Sequence, residues 1–84
     1  MQKAQSLRFH EDDHVVLKAP HAGTNRMYKS AHMHRLPAGT RGIVNSSAKG
    51  VTEVEFRVPD RATGFEDAVL MRVPDEKLDF DREA

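Results

Sequence analysis

Val51-Thr52-Glu53-Val54-Glu55-Phe56-Arg57-Val58 is the stretch that decides the fold. Val54, Phe56 and Val58 alternate with Glu53, Glu55 and Arg57, so one face is apolar and the other charged. A period of two marks a half-buried antiparallel strand, because successive side chains point to opposite faces. Lys49-Gly50 before it reads as a hairpin turn, and Ile43-Val44 opens a strand that stops in Asn45-Ser46-Ser47. Gly39-Thr40-Arg41-Gly42 is the glycine-flanked turn that leads in. On the far side, Pro59-Asp60-Arg61-Ala62-Thr63-Gly64 is a turn, and a strand follows over 68–73. There Ala68 and Leu70 alternate with Val69, Met71 and Val73, which predicts apolar cover on both faces. Pro74-Asp75-Glu76-Lys77 reads as one helical turn, with proline at the start where a missing N–H is harmless. Leu78-Asp79-Phe80 is a short last strand.

Upstream, His14-Val15-Val16-Leu17-Lys18-Ala19 is a β-branched strand stopped by Pro20. Residues 20–38 are the least patterned and hold His21, His32, His34, Met27, Met33 and the only tyrosine, Tyr28. A structureless segment longer than about 12–15 residues is uncommon in a compact domain and is often functional. A short helical turn from Arg26 to Met33 fits this segment. The expectation is all-β: five short antiparallel strands closed into a small barrel, with a long first loop and one helical turn before the last strand. Residues 1–10 are expected to be a loosely ordered lead, 11–81 the barrel and 82–84 a tail.

Three pieces carry a resemblance: Glu11-Asp12-Asp13-His14-Val15-Val16-Leu17, Leu36-Pro37-Ala38-Gly39-Thr40-Arg41-Gly42-Ile43-Val44, and Val54-Glu55-Phe56 with Val73-Pro74-Asp75-Glu76-Lys77-Leu78. On these the chain resembles the SH3-like barrel. It is similar to small bacterial barrels of that kind and to the C-terminal barrel of the nitrile hydratase β subunit. The glycine pair before Ile43-Val44 also resembles the turn of KOW-type ribosomal barrels. The resemblance implies a binding or accessory module. It implies no metal ligand in this chain, since in nitrile hydratase those lie on the other subunit.

Composition bounds the function classes. The chain has 84 residues, which predicts one domain that buries only roughly 60% of its unfolded surface. Thirteen basic and 13 acidic residues cancel, which disfavours a nucleic-acid coat protein or an acidic mimic as a whole-chain reading. No cysteine is present, so disulfides, thiolate zinc sites and a thiol nucleophile are excluded. No apolar run approaches the ~20 residues of a membrane span, and Met1 to Leu7 lacks a signal-peptide core. A complete chain in the cytoplasm, without a membrane partner, is the expectation.

The zero net charge hides a division. Residues 1–42 carry seven basic groups and three acids, and residues 43–84 carry six basic groups and ten acids. No acid occurs between His14 and Thr52. One reading is an anion-facing loop in which Arg26, Lys29, Arg35 and Arg41 meet phosphate or carboxylate and Tyr28 stacks on a base. The other is internal balance, with the glutamates of 51–58 and the acidic C-terminus lying against the basic half. A second surface reading uses Met27, Tyr28, Met33 and Leu36 as a protein contact, since methionine adapts to varied partners and tyrosine anchors interfaces. Its rival is a satellite core under the loop.

His32 and His34 at i and i+2 share a face on a strand, and His21 offers a third nitrogen. Lys29 and Arg35 beside them repel a cation, so no metal or cofactor is assigned. Protonating these histidines would raise the loop's charge, so any anion affinity should strengthen below about pH 6.5. A binding constant that stays flat across that pH would sink this idea. No serine sits in a nucleophile elbow, and no phosphate-cradling loop precedes a helix.

The sequence thus points to a non-catalytic module that binds another protein or a second copy of itself. Its candidate surface is Arg26, Met27, Tyr28, Lys29, His32, Met33, His34, Arg35 and Arg41. A nucleic-acid-binding barrel is the alternative, and an enzyme subunit a further one.

Overall fold

A computed structural model describes residues 7–27 and 33–84. Among the described residues, seven strands and one short 3-10 turn follow in order: β1 (His14–Leu17), β2 (His21–Thr24), β3 (Met33–Leu36), β4 (Arg41–Ala48), β5 (Val51–Pro59), β6 (Glu66–Pro74), the 3-10 turn Asp75–Lys77 and β7 (Leu78–Phe80). Five form an antiparallel sheet in the order β6-β5-β4-β1-β7, and β2 pairs with β3 separately. All-β, antiparallel and small are therefore what the molecule is.

β5 behaves as its alternation requires. Val54 and Phe56 are fully buried, Val58 packs against the same core, and Arg57 on the other face is exposed. β6, expected to be covered on both faces, buries one face fully and the other in part. Val69, Met71 and Val73 enter the core, while Ala68 and Leu70 are half-buried on the outer face. Gly42 lies between Val15 and Phe56 in the cross-strand row. A β-carbon there would sit 2.6 Å from Val54 Cγ1, 2.8 Å from the Glu55 carbonyl and 2.9 Å from Phe56 Cδ1, so only glycine lets β4 approach β5. Gly50 closes the β4–β5 hairpin at a φ of 79°, in the left-handed region.

Four expectations are corrected. First, residues 20–38 are not structureless throughout: they carry the paired strands β2 and β3, and Met33 is extended, while the helical turn expected from Arg26 to Met33 falls largely on 28–32, outside the described residues. Two local hydrogen-bonded strands of four residues lack the apolar alternation that would have announced them. Secondly, β4 starts at Arg41 and runs through Asn45-Ser46-Ser47 to Ala48. The polar residues continue the strand because a bulge between Val44 and Ser46 takes up Asn45, whose Nδ2 donates to Glu53 Oε1 at 2.8 Å. Thirdly, Phe9, expected in a loose lead, is wholly buried and packs its ring 4.9 Å from that of Phe80. Arg8 lies 4.7 Å over the Phe9 ring and pairs with Asp79 at 3.5 Å.

The fourth concerns closure. The ends of the sheet, β6 and β7, share no ladder, so the sheet is not a closed barrel. Its edges are blunted by other means, as an exposed edge must be. At β7 the Leu78 N–H donates to the Asp75 carbonyl, and the Phe80 N–H donates to Asp79 Oδ1 at 2.8 Å. At β6 the covering is done by the β2 segment.

Candidate interaction surface

β2 and β3 form an arm that meets β6 through polar groups. His21 Nε2 donates to the Arg72 carbonyl at 3.0 Å. Asn25, buried although polar, uses its side-chain amide as a substitute peptide: Nδ2 donates to the Ala68 carbonyl at 3.1 Å, and Oδ1 accepts from the Leu70 N–H at 3.0 Å. The same Oδ1 accepts from the Met27 N–H at 3.0 Å, and the Arg26 N–H donates to the Leu70 carbonyl at 2.7 Å. These bonds satisfy backbone groups of β6 that face away from β5. Leu36 is the arm's contribution to the main core.

The arm has two faces. His21, Gly23, His34 and Leu36 lie on the inner one and are half-buried or buried, while Ala22, Thr24, Met33 and Arg35 are exposed. Met33 keeps 60% of its surface accessible and Met27 47%. Of the sequence candidates, Arg26, Met27, Met33, His34 and Arg35 thus belong to one arm. Tyr28, Lys29 and His32 lie outside the described residues. Leu36 joins the core, so the satellite-core reading holds for that residue and not for Met27 or Met33.

Arg41 is corrected: it belongs to β4, not to a loop surface, and pairs with Asp81 at 3.4 Å and with Glu83. The Asp81 side chain is only 7% exposed, so this pair ties the C-terminus to the sheet. Arg26 Nε donates to Glu53 Oε2 at 3.0 Å. Two cations of the acid-free stretch are thereby neutralised by acids of the second half, which is the internal balance that the charge division allowed.

Sequence reasoning missed Phe65, which is 75% exposed in the β5–β6 turn. The Asp60 N–H donates to its carbonyl at 2.8 Å, and its own N–H donates to Thr63 Oγ1 at 3.2 Å, so its backbone is held while its ring faces solvent. It immediately precedes β6, three residues from Ala68, to which Asn25 is bonded. The signal available was a phenylalanine inside a turn-rich run with no apolar partner at a spacing of two.

A concavity of about 630 Å³ lies on the outer face of the sheet, lined by His14, Arg41, Ile43, Glu55, Arg57 and Glu66 among others. It is an open, mixed-charge groove, and Arg57 there pairs with Glu55 at 3.2 Å. Among the described residues, no three His, Asp or Glu side chains gather as a metal site. No helix among them is long and apolar enough to cross a membrane. In comparisons with protein-family models, curated proteins and solved structures, nothing matches the chain.

Proposed function

We propose that the chain is a non-catalytic binding module of SH3-like architecture that contacts another protein through the β2–β3 arm. The observation that carries the reading is the exposure of Met27 and Met33 at the two ends of the segment joining β2 to β3. Both are large, flexible and polarizable side chains, which suit a contact that must adapt to its partner. Phe65, exposed just before β6, is a further apolar side chain at the surface. What supports the SH3-like architecture is the strand order β6-β5-β4-β1-β7, with the arm after the first strand and the 3-10 turn before the last.

The nucleic-acid alternative is weaker on the same geometry. Phosphate binding needs cations that are not already paired. Arg26 and Arg41 are both engaged by carboxylates. The test is capture from host lysate, with nuclease, on wild-type protein and on the double variant Met27→Glu/Met33→Glu. Exposed positions tolerate such changes within about 0.5 kcal/mol, so the variant stays folded. The expected result is a nuclease-resistant protein partner retained by wild type and lost by the variant. Equal capture by both proteins would remove the arm from the reading, and capture that vanishes with nuclease would favour the nucleic-acid module.

A further inference from the structure

The root of the arm is fastened by a histidine whose two ring nitrogens do different work. His21 opens β2 directly after Pro20. Its Nε2 lies 3.0 Å from the Arg72 carbonyl. A carbonyl only accepts, so Nε2 carries the hydrogen. Its Nδ1 lies 3.4 Å from Lys77 Nζ in the 3-10 turn. An ammonium only donates, so Nδ1 must present a lone pair. Both contacts exist together only while the imidazole is neutral.

We infer that His21 is a proton-operated latch for the arm: neutral, it clamps the root of β2 to β6 and to the 3-10 turn; protonated, it loses its hold on the 3-10 turn and keeps only the bond to β6. The added proton would occupy Nδ1 and face the Lys77 ammonium, turning an acceptor–donor contact into two opposed cations. The charged and titratable groups on the elements packed against the ring are Lys77, Asp75 and Glu76 in the 3-10 turn, Arg72 on β6, and Arg26 and His34 on the arm. Of the carboxylates, Asp75 accepts from Thr52 Oγ1 at 2.7 Å, and Glu53 on β5 is bonded by Arg26 and Asn45. No described acid forms an ion pair with His21. Partial burial lowers the affinity of the ring for a proton; the bond to the Arg72 carbonyl opposes it, and the Lys77 charge adds a smaller lowering.

Gly23, two residues on, packs the root against β6: a β-carbon there would meet Met71 Cε at 3.1 Å. At the other end of the arm, Asn25 and Arg26 hold through groups that do not titrate near neutrality. Acid should therefore loosen the root where it meets the 3-10 turn and leave the Asn25 end as it was. The consequence for binding rests on the proposed role of the arm: a loosened arm presents Met27 and Met33 with a larger ordering cost, so affinity falls in acid.

The test needs no partner and so fails independently of that role. In an NMR titration from pH 8 to 5, the His21 ring and the amides of residues 21–24 are followed, with the amides of β5 as reference. The expected result is one shared midpoint below the ordinary histidine value for the ring and the arm root, with β5 unchanged. His21→Gln keeps a donor for Arg72 and an acceptor for Lys77 without titrating, and its arm amides should not respond. Lys77→Gln removes the opposing cation, and should move the midpoint upward. Arm amides that ignore the ring's titration, or that respond equally in His21→Gln, would overturn the inference. If His21→Gln does not fold, the Lys77→Gln midpoint decides: one that stays put or falls overturns the inference as well.

Discussion

The five-stranded sheet and the β2–β3 arm are held by different physics. The sheet is a continuous ladder over an apolar core of Phe9, Val15, Leu17, Val44, Val54, Phe56, Val69, Met71, Val73 and Leu78. The arm adds Leu36 to that core and otherwise hangs on His21, Asn25 and Arg26. Apolar burial is non-directional and scales with area, so the sheet's stability is spread over many residues. Hydrogen bonds are directional and few here, so the arm's attachment is concentrated in three side chains and one backbone amide. Regions with few buried apolar contacts open at lower free-energy cost than the core does. A binding element belongs in the second class, and the arm has that character.

The largest expected effect breaks the sheet. Phe56→Ala empties the centre of the core and should cost about 3–5 kcal/mol, read as a lower urea midpoint. Because small domains hold only about 5–15 kcal/mol in all, this variant should sit at the edge of unfolding. Gly42→Ala forces a methyl group against the Glu55 carbonyl and two core side chains. Overpacking of this kind should cost about 1–3 kcal/mol. A midpoint equal to wild type for Gly42→Ala would show that β4 can move away from β5, contrary to the packing described.

Asn25→Ala sharpens the comparison from the other side. It strips a bond each from the Ala68 carbonyl and the Leu70 and Met27 N–H groups. The expected loss is about 1–3 kcal/mol, seen as faster hydrogen exchange at Leu70 and along the arm, with β4 and β5 protected as before. Loss of protection throughout the sheet would mean that the arm and the sheet open as one unit.

Acid should weaken the molecule through His21. Its folded-state proton affinity is lowered, so the unfolded chain binds the proton first as pH falls. The neutral ring's contribution is whole above the ordinary histidine value and declines below it until the folded ring is protonated too. Wild type should lose stability across that window by more than His21→Gln, in paired urea titrations at pH 7.5 and 5.5.

The smallest effect is at Arg41. Its side chain is 55% exposed, so removing its pairs in Arg41→Ala should cost no more than about 1 kcal/mol, and less in high salt. A loss several times larger would show that the partly buried Asp81 carboxylate depends on this cation.

Where the signal is local, the sequence is a good guide. The alternation of 51–58, the Lys49-Gly50 turn and the proline before Asp75 each specify their own element, because period two, a left-handed turn and a proline at a helix start act within a few residues. The arm was illegible because β2 is His21-Ala22-Gly23-Thr24, whose exposed and half-buried sides differ little in polarity. Phe9 was illegible because one apolar neighbour at a spacing of two, Leu7, is too short a pattern to specify an element. Of the candidate surface, the types and their grouping at Arg26, Met27, Met33, His34 and Arg35 were readable, while their exposure was not.

The sequence by itself therefore determined that this is a small all-β chain, with its charge divided between two halves and its histidines in the first. Only the tertiary structure decided which charges cancel, since Arg26 meets Glu53 and Arg41 meets Asp81 and Glu83 across long separations in the chain. It alone gave Asn25 the work of a missing strand, and His21 two partners that no local pattern announces. The physical reason is range: turns and alternation arise from neighbouring residues, whereas a hydrogen bond or an ion pair needs a partner that only the folded chain brings near.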